Sequence, residues 1–115
     1  MPYTKAHAGE AESVLPDNVA GEMWMLKDEL GAENLGFTFL SLEADEETKP
    51  HTHIEENLEE IYFVVEGGVD VVFDDGHREH LDEHEAIHIT PEEERQIQNH
   101  DEYSELVLAS APVEE

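Results

Sequence analysis

The stretch that decides the fold reads Lys49-Pro50-His51-Thr52-His53-Ile54-Glu55-Glu56-Asn57-Leu58-Glu59-Glu60-Ile61-Tyr62-Phe63-Val64-Val65-Glu66-Gly67. Side chains on extended backbone alternate with a period of two, so His51 and His53 point to one side and their rings can reach one point. A connection of five residues, Ile54 to Leu58, leads to Glu59-Glu60 and then to an unbroken β-branched and aromatic run, Ile61 to Val65. That run reads as a buried strand closed by the turn Gly67-Gly68. With the two segments side by side, His51, His53 and one of the two glutamates converge as two imidazoles and a carboxylate, a set that suits Zn, Fe, Mn or Ni.

Working outward, the remaining apolar residues fall into short runs separated by turn signals. Met23 to Leu26 reads as a first strand, followed by the connection Asp28 to Asn34 and a strand from Leu35 to Leu42. In the latter, Leu35, Phe37 and Phe39 share one face and Leu40 and Leu42 the other. Pro50 fits the entry to a strand carrying His51 and His53, where a missing amide donor is tolerated. Val69 to Asp74 runs to Asp75-Gly76, a two-residue hairpin signal that returns the chain through His77 to Leu81. Glu85–Thr90, Arg95–Asn99 and Ser104–Ser110 complete the set. Eight or nine short strands without an amphipathic helix predict an all-β sandwich, jelly roll or barrel. On the central strand Ile61, Phe63 and Val65 lie opposite Tyr62 and Val64, so one face fills a barrel and the other needs cover from a second layer or a second subunit.

The chain has 115 residues, 31 of them acidic against 5 Lys plus Arg, and a formal charge of −26. Like-charge repulsion of that size opposes compaction at low ionic strength, and molar salt, with a Debye length of about 3 Å, screens it. The acids are interspersed, with no run longer than Glu92-Glu93-Glu94, which reads as adaptation to salt. There is no basic stripe to neutralise phosphates, so nucleic acid is excluded as a partner. No cysteine is present, which excludes a disulfide framework and a thiolate site. The N-terminus has neither a basic nor an apolar targeting region, and no apolar run spans a bilayer, so a cytoplasmic protein with no membrane partner is expected. Residues 1–20 read as an irregular arm and 21–115 as one barrel domain.

The residues around the histidines resemble the cupins, small β-barrels of the jelly-roll type, whose first motif is G-x5-H-x-H-x3-4-E-x6-G. His51, Thr52 and His53 match the H-x-H, and Glu60 stands six residues before Gly67 as in E-x6-G. Asp45 occupies the leading glycine position, and six residues separate His53 from Glu60, two or three more than the pattern holds. In the second motif, G-x5-P-x-G-x2-H-x3-N, only Asn99 agrees; His84, Thr90, Glu92 and Arg95 stand where the family has Gly, Pro, Gly and His. The resemblance spans roughly residues 35 to 110. It implies a single cupin-type jelly-roll barrel, commonly a homodimer, with one divalent metal held by His51, His53 and Glu60. It carries no reaction across, because the family includes dioxygenases, isomerases, epimerases, lyases and non-catalytic binders.

Arg95 is the departure with most chemical content. A guanidinium has no lone pair for a metal, so its presence removes a fourth protein ligand. Turned aside, it leaves a facial set of three ligands with positions open to a small-molecule substrate, which Arg95 would orient if anionic. Turned inward, it opposes the metal, and an Arg95–Glu60 pair makes a metal-free barrel that binds a carboxylate or phosphate through Arg95, or one that is purely structural. Tyr62 has the parity of Glu60 and is expected to line the cavity. Glu59 is the competing ligand, because the longer connection can shift the pairing by one residue. His88 is read as a hydrogen-bonded core histidine, and His77, His80, His84 and His100 as solvated.

Overall fold

A computed structural model of the chain describes residues 3–8 and 22–113. The arm expected over residues 1–20 therefore lies, apart from residues 3–8, outside the described residues. Eight strands are present among them: β1 (Glu22–Met25), β2 (Gly36–Leu42), β3 (Leu58–Glu66), β4 (Val69–Phe73), β5 (Arg78–Leu81), β6 (Ala86–Ile89), β7 (Arg95–Asn99) and β8 (Ser104–Pro112). They form two antiparallel sheets, one in the order β1-β2-β8-β3-β6 and one in the order β5-β4-β7. Gly67 and Gly68 carry the chain from the first sheet to the second, and Gly67 has φ +85°. A Cβ there would run into the backbone of Tyr103 and the side chain of Ser104, so the corner requires glycine.

The core lies between the two sheets, and the period-two pattern selects it. Leu40 and Leu42 of β2, Tyr62 and Val64 of β3, and Leu106 and Leu108 of β8 face Val69 and Val71 of β4 and Ile97 of β7. All but Leu108 of these are at most 1% exposed. The opposite parity of the five-stranded sheet points outward. There Phe37, Ala109, Ile61 and His88 form one cross-strand row, and Trp24, Phe39, Val107, Phe63 and Ala86 the next.

Three local expectations are corrected. The connection after β1 opens with a one-turn helix, α1 (Lys27–Leu30), closed by Gly31 at φ +70°; one turn is too short to leave an apolar period in the sequence. The β4–β5 hairpin has a three-residue loop, Asp74-Asp75-Gly76. Gly76 N–H bonds Phe73 O at 2.9 Å, and Gly76 takes φ +88°, the three-residue alternative to the two-residue turn. His51 and His53 do not sit in a ladder. Residues 47 and 51 make isolated bridges to Gln98 and Arg95, out of register by one residue, and Pro50 between them has no N–H to continue the pairing. The segment thus runs beside β7 as an irregular edge, held by Thr48 N–H to Ile97 O and Asn99 N–H to Glu46 O, both 2.9 Å, as well as by the bridges.

Asn99, which closes β7, joins several parts of the barrel. Its Nδ2 lies 3.2 Å from Leu42 O, 2.9 Å from Glu43 O and 2.6 Å from Glu102 O, and its Oδ1 accepts from Ser104 Oγ at 2.7 Å. This buried amide fastens the end of β2 to the start of β8.

Candidate metal centre

Alternation along β3 places Glu60, Tyr62 and Val64 on the inward face, with Glu60 opposite Ser110 of β8 and Ile89 of β6. Glu59 points outward, where its carboxylate meets His88 Nε2 at 2.7 Å, so Glu60 is the glutamate that faces the histidines. The longer connection does not shift the register because a turn absorbs it. Asn57 adopts φ +54°, Leu58 N–H bonds His53 O at 3.2 Å, and Asn57 is tied to Val113 by a side-chain bond of 2.8 Å and a backbone bond of 2.9 Å.

Across the barrel, the edge segment is fixed by the paired backbone bonds His51 N–H to Arg95 O and Arg95 N–H to His51 O, both 2.9 Å. Its two rings meet edge to face with centroids 4.9 Å apart. His53 Nε2 lies 3.1 Å and His51 Nε2 3.9 Å from the same oxygen, Glu60 Oε1. One donor atom from each of the three residues lies within 4.8 Å of the others. Two ligands about 2.1 Å from a common ion at 90–110° stand about 3.0–3.4 Å apart, so the spacing suits a single metal after a small inward movement of His51. The outer nitrogen of His51 donates to Lys49 O at 3.2 Å, which leaves Nε2 as the ligating atom. The set can therefore hold a metal ion.

The electrostatics follow from this crowding. Burial alone would raise the Glu60 carboxyl, but hydrogen bonds from His51, His53 and Tyr62 outweigh it and hold the group at about 2. The hydrogen bond to Glu60 raises His51 above its ordinary value, against the opposing effect of burial. Tyr62, whose hydroxyl donates to Glu60 Oε1 at 3.0 Å, is pushed well above the ordinary phenol range by burial and by the neighbouring carboxylate. It is a permanent donor to Glu60.

Arg95 points inward and is 0% exposed. Its Nη1 donates to Glu93 O at 2.9 Å, and its Nη2 lies 3.5 Å from both Thr90 O and Glu60 Oε1. Most of its hydrogen bonding thus holds the Thr90–Glu94 turn. A cavity of about 450 Å³ opens over the histidines. Tyr62 lines it and Arg95 does not. The sequence reading missed much of its wall, including Met23, Met25, Leu58, Leu108 and Lys49; the shared parity of Met23 and Met25 was the one available signal. His88, expected in the core, is exposed because its strand turns that parity outward. His77, His80 and His100 are exposed as expected, yet each pairs with a carboxylate: Glu79, Asp70 with Asp82, and Asp70. His84 stacks on Phe63 with centroids 6.2 Å apart.

No protein-family model matches the sequence, and no curated protein matches it. Solved structures do. A cupin protein from Bacteroides fragilis superposes with a TM-score of 0.77 at 21% identity, covering 98% of this chain and 86% of that one. The polyketide cyclase RemF from Streptomyces resistomycificus gives 0.74 at 19% identity, covering 94% and 78%. A sugar phosphate isomerase of the cupin superfamily from Silicibacter pomeroyi gives 0.74 at 20% identity, covering 95% and 76%. With two antiparallel sheets around one core, and an H-x-H edge facing a glutamate across it, the chain has the fold of the cupin superfamily.

Proposed function

We propose that this is a small metal-binding cupin that takes up a small molecule above a centre formed by His51, His53 and Glu60. The observation that carries the reading is the approach of both imidazole Nε2 atoms to one buried carboxylate oxygen at 3.1 and 3.9 Å. Zn, Fe, Mn and Ni all accept such a set. A bound divalent ion would supply Lewis acidity or an oxygen-activating site. The chain's own residues do the rest: His51 is oriented by Lys49 O, Tyr62 donates to the Glu60 oxygen that the histidines face, and the apolar wall excludes water.

The second reading, a metal-free binding module, is favoured by the Arg95 guanidinium 3.5 Å from Glu60. Elemental analysis of protein kept in molar salt and never exposed to chelator separates the two, with His51→Ala as the control for ions held loosely by the acidic surface. About one transition metal per chain in the parent and far less in the variant supports the centre. Equal, low content in both overturns it.

The same proposal includes a homodimer formed through the outer face of the five-stranded sheet. Phe37, Ile61 and Phe63 are 38%, 46% and 37% exposed, and the two rows they occupy contain no carboxylate. On a chain of charge −26, such a face is where a second, equally acidic copy would meet least repulsion, since Glu59 at its border is matched by His88 at 2.7 Å. Among the described residues no helix is long and apolar enough to cross a membrane. A cytoplasmic, salt-adapted setting is proposed on the charge and the absence of cysteine.

A further inference from the structure

We infer that the ligand of this cavity is an amphiphilic monoanion: an apolar body, aliphatic or aromatic, carrying a single oxyanion group at one end. The inference rests on the same cavity as the proposed metal centre and specifies what enters it. The cavity, about 450 Å³, is the size of those that enclose organic molecules. Its walls contrast with the rest of the chain. Although 31 of 115 residues are acidic, the wall strands β1, β2, β7 and β8 contribute no carboxylate to the lining; they supply Met23, Met25, Leu40, Ile97 and Leu108, with Thr38 and Ser110 as their polar members. The ionisable side chains that line it, Lys49, His51, His53, Glu56, Glu60 and Tyr62, all come from residues 49–62 and make its polar end.

A sugar or a small diacid would set its hydroxyls or second carboxylate against methionine and leucine without partners, at a cost in desolvation. An apolar body loses nothing there. The sign of the head group follows from the charges at the polar end. Glu60 is already matched by Arg95 at 3.5 Å and by the histidines at 3.1 and 3.9 Å. Glu56, the other carboxylate on the lining, is turned mostly to solvent and stands 3.8 Å from His53 Nδ1. Lys49, which also lines the cavity, is left as the cation facing the ligand, and a metal ion on the three ligands would add positive charge in the same place. Arg95 is fully buried and engaged with Glu93 O, so anion recognition falls to Lys49.

The test is calorimetric titration with straight-chain carboxylates from acetate to octanoate in molar KCl, on metal-loaded protein and on chelator-treated protein. Each added methylene should tighten binding about fourfold, the equivalent of about 0.8 kcal/mol per buried CH₂, in both preparations. Met25→Glu, a change at a side chain already 52% exposed, should flatten the dependence on chain length. Lys49→Gln should weaken every member of the series by a similar factor. Affinity that does not depend on chain length, malonate binding tighter than octanoate, or a slope that Met25→Glu leaves intact would each overturn the inference. A slope in protein that takes up no metal when metal is offered leaves the inference standing while the metal centre fails. Metal at full content without a slope does the reverse.

Discussion

Nη2 of Arg95 stands 3.5 Å from Glu60 Oε1, the oxygen that both histidines face. One carboxylate is therefore shared between a guanidinium that cannot ligate and two imidazoles that can. Arg95→His replaces a charge opposing the metal with a possible fourth nitrogen. We expect metal to be held at least about tenfold more tightly, measured by competition with a chromophoric chelator. Fold stability should drop by about 1–2 kcal/mol for the lost bond to Glu93 O. Unchanged metal affinity would place position 95 outside the reach of the ion.

Asn99 supplies one amide nitrogen to three backbone carbonyls and one oxygen to Ser104. Asn99→Leu leaves those buried groups without partners, and a loss of about 2–4 kcal/mol is expected in urea titrations in molar salt. A loss below about 1 kcal/mol would mean that water replaces the amide.

On the second sheet, Asp70 is surrounded by Arg78 at 2.9 Å, His80 at 2.7 Å and His100 at 3.1 Å, and His80 also meets Asp82 at 3.0 Å. Burial would raise Asp70, but the hydrogen bonds from His80, His100 and Arg78 outweigh it and lower the carboxyl. The bond to Asp70, assisted by Asp82, raises His80. A lowered carboxyl stabilises above its ordinary value of about 4 and loses that contribution as pH falls through its folded pKa. A raised imidazole stabilises fully below about 6.5 and loses its contribution as pH rises through its folded pKa. The pair is thus worth most between about pH 4 and 6.5. The stability difference between the parent and His80→Gln should narrow from about pH 6 to pH 8.5 in denaturant melts. A difference that does not change with pH would remove the pair from the stability of this sheet.

Phe63 and Ile61 sit at the centre of the outer face of the five-stranded sheet. Phe63→Glu places a carboxylate in the middle of the proposed dimer contact, and a rise of at least about a hundredfold in the dimer dissociation constant is expected. Sedimentation equilibrium in molar KCl measures it directly. A monomeric parent would refute the dimer.

Much of the barrel and the centre was legible because β alternation is a short-range rule. Parity along β3 alone puts Glu60 and Tyr62 inward and Ile61 and Phe63 outward, and the spacing His51-Thr52-His53 aims both rings at them. What escaped depends on distant partners. Whether Glu59 or Glu60 faced inward turned on how the longer connection was absorbed, and that rests on Asn57 bonding to Val113, 56 residues away. The direction of Arg95 depends on carbonyls in a turn. Asp45 and His84, which stand where the resemblance has glycine, adopt φ values of +65° and +69°, the left-handed conformation that glycine takes at least cost.

The edge that bears His51 and His53 meets β7 through isolated bridges and scattered hydrogen bonds rather than a continuous ladder, whereas Glu60 is paired to a strand on each side. Amides on such an edge open at lower free energy than those of the ladder. An ion gathering all three residues would act as a clasp between the two sheets, and its binding would add to the stability of the whole barrel in proportion to occupancy. The supply of metal would then govern how long the molecule resists proteolysis, and loss of the ion would first be felt as a loosened seam between residues 46 and 53, before any chemistry was measured.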